Sequence, residues 1–376
     1  MLAAKLSTAL VAAAIAVSVS AENGVSGDKI LIGQSASMTG TSAESGQQVR
    51  EGALAYFEAV NRRGGIHGRK IEFITLDDAG QTKRGEENTL KLINETKVFL
   101  LFGYTGRNTS EVALPIITAA QVPFFGAATG GESIHGAFNK YVFNVRASYT
   151  LETQALVRHL VTTGQSKIGM IYHKDDVKKS NLKMTEDAAA SHGHKLVGSA
   201  SVERNSSEVS EAVGVLSKLH PEAVVCNAAV KPLGEFVRQM RKSGASSQFL
   251  SVSFVGSAIV KELGPEVNGL IMAQVVPLPT KRQIPIVGEY QRAMSEIGSK
   301  QEYSFNALEG YIAAKVLVEG LKRGGKDLTR ARFIQAMEAM SALDLDGYFV
   351  SYSPTNHNGS KFVDITIINK HGRFFN

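Results

Sequence analysis

The 376-residue chain contains a single cysteine, Cys226. No intrachain disulfide can form, and a bacterial lipid anchor, which needs a cysteine directly after a signal segment, is not expected. Cys226 closes the apolar run Ala223 to Cys226, where a thiol is buried and inert rather than nucleophilic. HExxH, P-loop and GxSxG motifs are also missing, and the loop after the first expected strand reads GQSASMTG instead of GxGxxG. Each of these would have implied a particular reaction, so neither an enzyme nor a metal- or cofactor-binding protein is expected. An excess of charge is lacking too: 41 basic residues face 35 acidic ones, a formal +6. These charges are interspersed along helices such as Lys83 to Glu95 rather than gathered in a basic stripe, which argues against nucleic acid as a partner. No low-complexity segment interrupts the chain, and beyond its first residues no apolar run is long enough to cross a bilayer.

What is present is a globular composition, 43% hydrophobic and 20% charged, in a chain longer than one core usually organises. Residues 1–21 stand apart. Lys5 is their only charge, Leu6 to Val17 is apolar, and Val19-Ser20-Ala21 supplies small residues for cleavage. This is the pattern of a secretory signal peptide, with an apolar run too short for a convincing membrane span.

Strands and helices then alternate every few tens of residues. Lys29 to Gln34, Lys70 to Leu76, Val98 to Phe102, Val122 to Phe125 and Tyr141 to Val145 read as strands. Helical spacing of Val49, Ala53, Tyr56, Phe57 and Val60 marks the first helix, and Gly64-Gly65 its end. After Arg146-Ala147-Ser148 a second series begins, with strands at Lys167 to Tyr172, Lys195 to Val202, Ala223 to Cys226, Phe249 to Ser253 and Gly269 to Val276. Pro277, Pro279 and Pro285 interrupt regular structure there as a crossing segment would. Helices at Phe305 to Arg323 and Arg330 to Met340, and strands at Tyr348 to Tyr352 and Phe362 to Asn369, complete the chain. The fold class is therefore α/β, two similar units whose parallel sheets are wound with helices.

The stretch Val98 to Glu111, VFLLFGYTGRNTSE, holds the most chemistry. A buried apolar strand leads through Gly103 and Gly106 into Arg107, Asn108, Thr109 and Ser110, residue types that cap helices. A helix start leaves N–H donors open and favours an anion such as a carboxylate; an ordinary capped turn with Arg107 in solvent fits the same letters. Asp77-Asp78 reads as a helix cap or as paired carboxylates, and His192 and His194 as an exposed turn or the start of a metal site. Four Asn-x-Ser/Thr sequons, at Asn94, Asn108, Asn205 and Asn358, matter only in a eukaryotic secretory host.

Several phrases, in order, resemble the type I periplasmic solute-binding proteins of the leucine/isoleucine/valine-binding family: KILIGQSASMTG, VNRRGGIHGRKIEF, LDDAGQTKRGEENTLKLI and VPFFGAATG, with SYSPTNHNGSKFVD similar to the closing segment of one branch. The resemblance runs from Asp28 to Phe375. It implies two Rossmann-like lobes joined by a three-strand hinge, lobe I from 28–145 plus 281–345 and lobe II from 146–280 plus 346–376. A monomer of this kind closes over a small solute in the periplasm and presents it to an inner-membrane ABC permease. The same closed lobes also serve a sensor subunit for a chemoreceptor or kinase.

Carried over by position, the resemblance implies a pocket built from the turn Tyr104, Thr105, Arg107, Asn108 and Thr109 and from the loop around Ala128 and Thr129. The second lobe adds Tyr149, Lys178, Val230 and Ser253. Ser253 stands where amino-acid binders of the family place an acid for the ligand's ammonium, and Ser45, Lys178 and Val230 stand where they place tyrosines. A buried ammonium needs a charged partner, so leucine-type ligands are expected to bind weakly. Arg107 stands where members of the family usually have a small residue, and a larger, cationic one either bridges the lobes or meets the ligand.

Overall fold

A computed structural model describes residues 22–176 and 180–376. The signal peptide assigned to residues 1–21 lies outside the described residues, as does Lys178. Five parallel strands form the first sheet: β1 (Lys29–Ala36), β2 (Lys70–Asp77), β3 (Leu100–Phe102), β4 (Phe124–Phe125) and β5 (Val142–Phe143), in the order β2-β1-β3-β4-β5. The second sheet holds β6 (Ile168–His173), β7 (Gly198–Val202), β8 (Ala223–Asn227), β9 (Gln248–Ser251) and β10 (Ile271–Gln274), and its order β7-β6-β8-β9-β10 repeats the first. Both orders reverse beside their first strand, which opens a crevice at the carboxyl ends of the strands, the place where open α/β sheets bind ligands.

The second sheet is mixed, because the chain returns through β11 (Leu343–Asp344) and β12 (Phe349–Val350), which pair with each other, and adds β13 (Asp364–Ile368) antiparallel to β10, then β14 (Phe374–Phe375) antiparallel to β13. An antiparallel edge on a parallel sheet needs no crossover helix, so it costs the chain little length.

The central strands have no solvent-facing side: Leu100, Leu101 and Phe102 are all fully buried. Helices cover them in chain order: α1 (Ala43–Arg62), α2 (Thr82–Asn94), α3 (Arg107–Glu111), α4 (Ala113–Ala120), α5 (Glu132–His135), α6 (Tyr149–Thr162), α7 (Ser180–Ala190), α8 (Ser210–Ser217), α9 (Val230–Lys242), α10 (Ala258–Leu263), α11 (Pro285–Glu296), α12 (Phe305–Arg323) and α13 (Arg330–Glu338). The late helices α11, α12 and α13 join the core of the first sheet, with Tyr290, Tyr311 and Phe333 buried beside Phe57, Phe102 and Phe125. Helices α1 and α12 touch backbone to backbone. A Cβ at Gly52 would fall 1.8 Å from the Ala307 carbonyl oxygen, and one at Gly310 2.1 Å from that of Val49, so only glycine permits the approach.

Helix α11 falls where the prolines suggest an interruption of regular structure. Pro285 occupies its first turn, where a missing N–H costs nothing, and Ile286, Val287, Tyr290, Ala293 and Met294 form the buried face. Pro115 likewise sits in the first turn of α4, after a break at Val112.

Three chain passages join the sheets and are bonded side by side. Asn144 N–H donates to the His357 carbonyl at 2.9 Å and Gly359 N–H to that of Asn144 at 2.9 Å. Tyr352 donates to the Asn144 carbonyl at 2.9 Å and Tyr348 to that of Val275 at 3.2 Å.

Candidate functional site

The crevice at the strand ends gathers most of the residues singled out above. On the first sheet the loop after β1 is pinned from both sides. Asp77 accepts from the N–H groups of Met38 (2.9 Å) and Thr39 (3.2 Å) and from the Thr39 hydroxyl (2.6 Å); Asp78 accepts from Ser35 (2.9 Å) and Ser37 (3.0 Å). These acids hold the neighbouring loop, and α2 has no side-chain cap. Burial works to raise the Asp77 carboxyl, but its bonds from Thr39, Ala79 and Met38 bring it down to about 2; Asp78, more deeply enclosed, is pushed up by burial. Ser37 N–H in turn donates to Thr105 Oγ1 at 3.2 Å.

The turn after β3 differs from expectation in two respects. Tyr104 points away from the crevice: it is fully buried, packs edge-on against Phe124 with ring centres 5.0 Å apart, and its hydroxyl meets Thr89 at 3.1 Å. Only its backbone serves the site, its carbonyl accepting from Ala128 N–H at 2.8 Å. Secondly, α3 starts at Arg107 on a glycine cap, Gly106, held at φ 86°, and no side chain caps it. The hydroxyls of Thr109 and Ser110 bond back to the carbonyls of Thr105 (2.5 Å) and Gly106 (2.7 Å), and Asn108 is exposed. The first N–H groups of the turn are thus left open, as at any uncapped helix start.

Arg107 leans along the crevice. A Cβ at Gly131 would lie 3.2 Å from both Cγ and Cδ of Arg107 and 3.6 Å from Thr129 Oγ1, so the arginine stem and the threonine hydroxyl are neighbours. Its guanidinium lies 4.0 Å from Asp176, in the loop after β6, and 3.8 Å from Glu111. Both separations exceed hydrogen-bond length, and Nε is buried with no hydrogen-bond partner among the described residues. Asp176 is otherwise engaged with α7, accepting from Ser180 Oγ and Asn181 N–H, each at 2.8 Å.

Thr129 is fully buried. Its carbonyl meets a ring nitrogen of His135 at 3.0 Å; burial lowers that imidazole to about 4, so the ring is neutral and this nitrogen donates. Across the crevice, the Thr129 hydroxyl is 3.4 Å from that of Tyr149, and Gly130 accepts from Tyr149 N–H at 2.8 Å. Val230 starts α9, half-buried. The N–H of the preceding Ala229 donates to His173 Nε2 at 2.9 Å, a neutral imidazole that burial brings down to about 4. Ser45 is half-buried in the first turn of α1. Beside it Glu44 reaches Lys261 of the second lobe at 2.8 Å, a second ion pair between the lobes.

Ser253 leads to a group that sequence reasoning missed. Its N–H donates to Glu152 at 2.6 Å, and its hydroxyl meets Glu152 at 2.9 Å and an Arg146 Nη at 2.5 Å. Arg146 also pairs with Glu152 and, at 3.4 Å, with Glu309. All four residues are at least nine-tenths buried. Burial works to lower Arg146, but Glu309 and Glu152 carry it above the usual guanidinium range. Burial pushes both carboxyls up against the pull of that arginine. In the sequence Arg146 reads only as a crossing point. The available signal was charge at inward positions of helices, Glu152 in the first turn of α6 and Glu309 in the second turn of α12, where a solvent-facing residue would be ordinary.

Away from the crevice, a cavity of about 100 Å³ lies between Phe138, Asn144 and His357, and a groove of about 300 Å³ beside Arg282 and Tyr303. Neither is lined by Arg107, Thr129, Tyr149, Val230 or Ser253. Cys226 is buried, which pushes its thiol up. Among the described residues no cluster of three or more His, Cys, Asp or Glu is placed to hold a metal, and no helix is long and apolar enough to cross a membrane.

The family model for periplasmic binding proteins matches residues 29–372. The chain is 19% identical over 319 residues to the leucine-, isoleucine-, valine-, threonine-, and alanine-binding protein of Pseudomonas aeruginosa, covering 84% of this chain and 83% of that one. Its structure resembles that of a possible leucine/isoleucine/valine-binding protein from Rhodopirellula baltica, with a TM-score of 0.86, 29% identity and coverage of 93% and 96%. It also resembles a substrate-binding periplasmic protein from Ralstonia solanacearum, with a TM-score of 0.84, 29% identity and coverage of 92% and 99%.

Proposed function

The chain belongs to the periplasmic binding protein family, type I, in its leucine/isoleucine/valine-binding branch, and from that premise we propose that it is the substrate-binding component of an ABC importer. It captures a small solute, amino acid-like, an amide or a carboxylate, between its lobes and delivers it to an inner-membrane permease. The name of the Pseudomonas relative supports a solute of amino-acid size.

The observation that carries the reading is Arg107. Its guanidinium, whose buried Nε has no hydrogen-bond partner among the described residues, lies 4.0 Å from Asp176 of the facing lobe on a stem that passes the Thr129 hydroxyl. A solute carboxylate entering there meets a planar fork of donors, open helix N–H groups and a hydroxyl. Thr105 and Thr109 shape the turn beneath it, Tyr149, Val230 and Ser253 the opposite wall. Closure is a hinge rotation at Arg146, Pro277 and Leu345 between lobe I (28–145 plus 281–345) and lobe II (146–280 plus 346–376). The protein is exported through cleavage after Ala21 and works as a periplasmic monomer.

A thermal-shift screen over amino acids, amides and aliphatic and aromatic carboxylates tests this. A solute at a hundred times its Kd stabilises the folded state by about 2.7 kcal/mol, a clear rise in melting temperature. A screen in which no compound raises it, or a compound that the purified protein turns over, contradicts the reading.

A further inference from the structure

We propose that Arg146 is a built-in cation that fills a cation-recognising corner of the crevice, and that it thereby restricts the solute to acids and amides without an amino group beside the carboxyl. The inference rests on the reading of the crevice as the solute site and narrows the class that site accepts.

The corner is made of two carboxylates, a hydroxyl and an aromatic face. Glu152 comes from the first turn of α6, Glu309 from the second turn of α12 and Ser253 from the turn after β9; the Tyr149 ring centre lies 5.3 Å from the Arg146 guanidinium carbon. Acidic groups around a point covered by a ring are the chemistry that binds organic cations. Here the cation comes from the chain itself. Arg146 spends Nη2 on Glu152 and Ser253, Nη1 on Glu309 and Nε on the Ala147 carbonyl at 3.1 Å. Glu152 is used up as well: one oxygen takes Arg146 and the Ser253 hydroxyl, the other the Ser253 N–H.

The corner adjoins the proposed carboxylate position. Arg107, Thr129, Tyr149 and Arg146 follow one another along the crevice: the Arg107 stem beside Thr129, the Thr129 hydroxyl 3.4 Å from that of Tyr149, the Tyr149 ring beneath Arg146. An α-amino acid whose carboxylate sits at Arg107 and Thr129 carries its ammonium one carbon away. On the Tyr149 side that ammonium meets a like charge and carboxylates that are already bonded, so its lost hydration is not replaced. A solute with hydrogen or a hydroxyl in place of the amine escapes that cost.

Two measurements test the proposal. First, calorimetry on the wild-type protein compares acids found in the screen with their α-amino counterparts of matched carbon skeleton. The expected result is at least tenfold tighter binding of the amine-free member; equal or tighter binding of the amino acid overturns it. Second, Arg146→Ala empties the corner. Methylguanidinium and methylammonium at a few millimolar should raise the variant's melting temperature saturably and leave the wild type unchanged, with sodium chloride at equal ionic strength as control. A variant that gains nothing over sodium chloride overturns the cation-site assignment. If Arg146→Ala does not fold, recovery of folded Arg146→Ala on refolding with methylguanidinium is scored in the same way. The rescue does not depend on an imported solute, so a failed screen with a successful rescue refutes the proposed function and leaves the cation corner standing.

Discussion

Replacing Arg107 by alanine removes a side chain whose geometry suits it to a solute carboxylate. In the structure its guanidinium makes no hydrogen bond among the described residues and lies 3.8 and 4.0 Å from Glu111 and Asp176. A charge-assisted pair lost from a closed cleft costs about 2 to 4 kcal/mol, roughly thirty-fold to a thousand-fold in affinity. The Arg107 side chain is 35% exposed, and screening by water at that exposure moves the expectation to the lower end, about 2 kcal/mol or roughly thirty-fold. Folding should barely respond, by less than about 0.5 kcal/mol, because Asp176 keeps its two bonds to α7. Arg107→Lys should recover part of the affinity, since it restores the charge without the fork. The assay is calorimetric titration of both variants with an acid found in the screen and with its neutral amide, beside urea unfolding. A change below threefold for the acid refutes the argument, as does an equal loss for acid and amide.

Gly52→Ala should destabilise the first lobe by about 3 kcal/mol or more, since its Cβ would fall 1.8 Å from the Ala307 carbonyl oxygen and α1 would have to part from α12; an unchanged urea midpoint would contradict this. Asp77 is held down to about 2 against an ordinary value of 3.8, so its contribution is fully present above about pH 4 and is lost as the pH falls toward 2. The stability gap between wild type and Asp77→Asn should therefore shrink over that interval, and a gap independent of pH would show that the carboxylate charge is immaterial. Leucine, isoleucine and valine should bind weakly or not at all, because Ser253 has both its N–H and its hydroxyl tied to Glu152; tight leucine binding by calorimetry would refute this.

Much of the scaffold is readable from residue patterns. Helix α12 begins and ends where the spacing puts it, at Phe305 and Arg323, since Ser304 caps its start and two glycines stand just past its end. Pro285 misleads because proline ends a helix or begins one according to the residues on its C-terminal side, and the apolar spacing from Ile286 to Met294 is the better guide. The direction of β13 and β14 is not legible, since strand polarity depends on where a distant passage returns the chain. At the site, the turn after β3 stands out in the sequence because glycines and helix-capping residues cluster there, whereas the Thr129 loop is implied only by the family resemblance. The charged corner is not, since Arg146 and Glu309 lie 163 positions apart and nothing local marks them as partners. Tyr104 stands two residues past the end of β3, where no strand alternation applies, and nothing local tells that its ring turns in against Phe124 and Thr89.

The measurement that bears most directly on the central claim, a small solute captured by closure of two lobes, is small-angle X-ray scattering of the mature protein with and without a saturating solute. With solute, the profile should fit the structure described here, in which Glu44 meets Lys261 and Arg107 faces Asp176 across the crevice; without it, the radius of gyration should be larger. Identical profiles in the two conditions would contradict capture by closure.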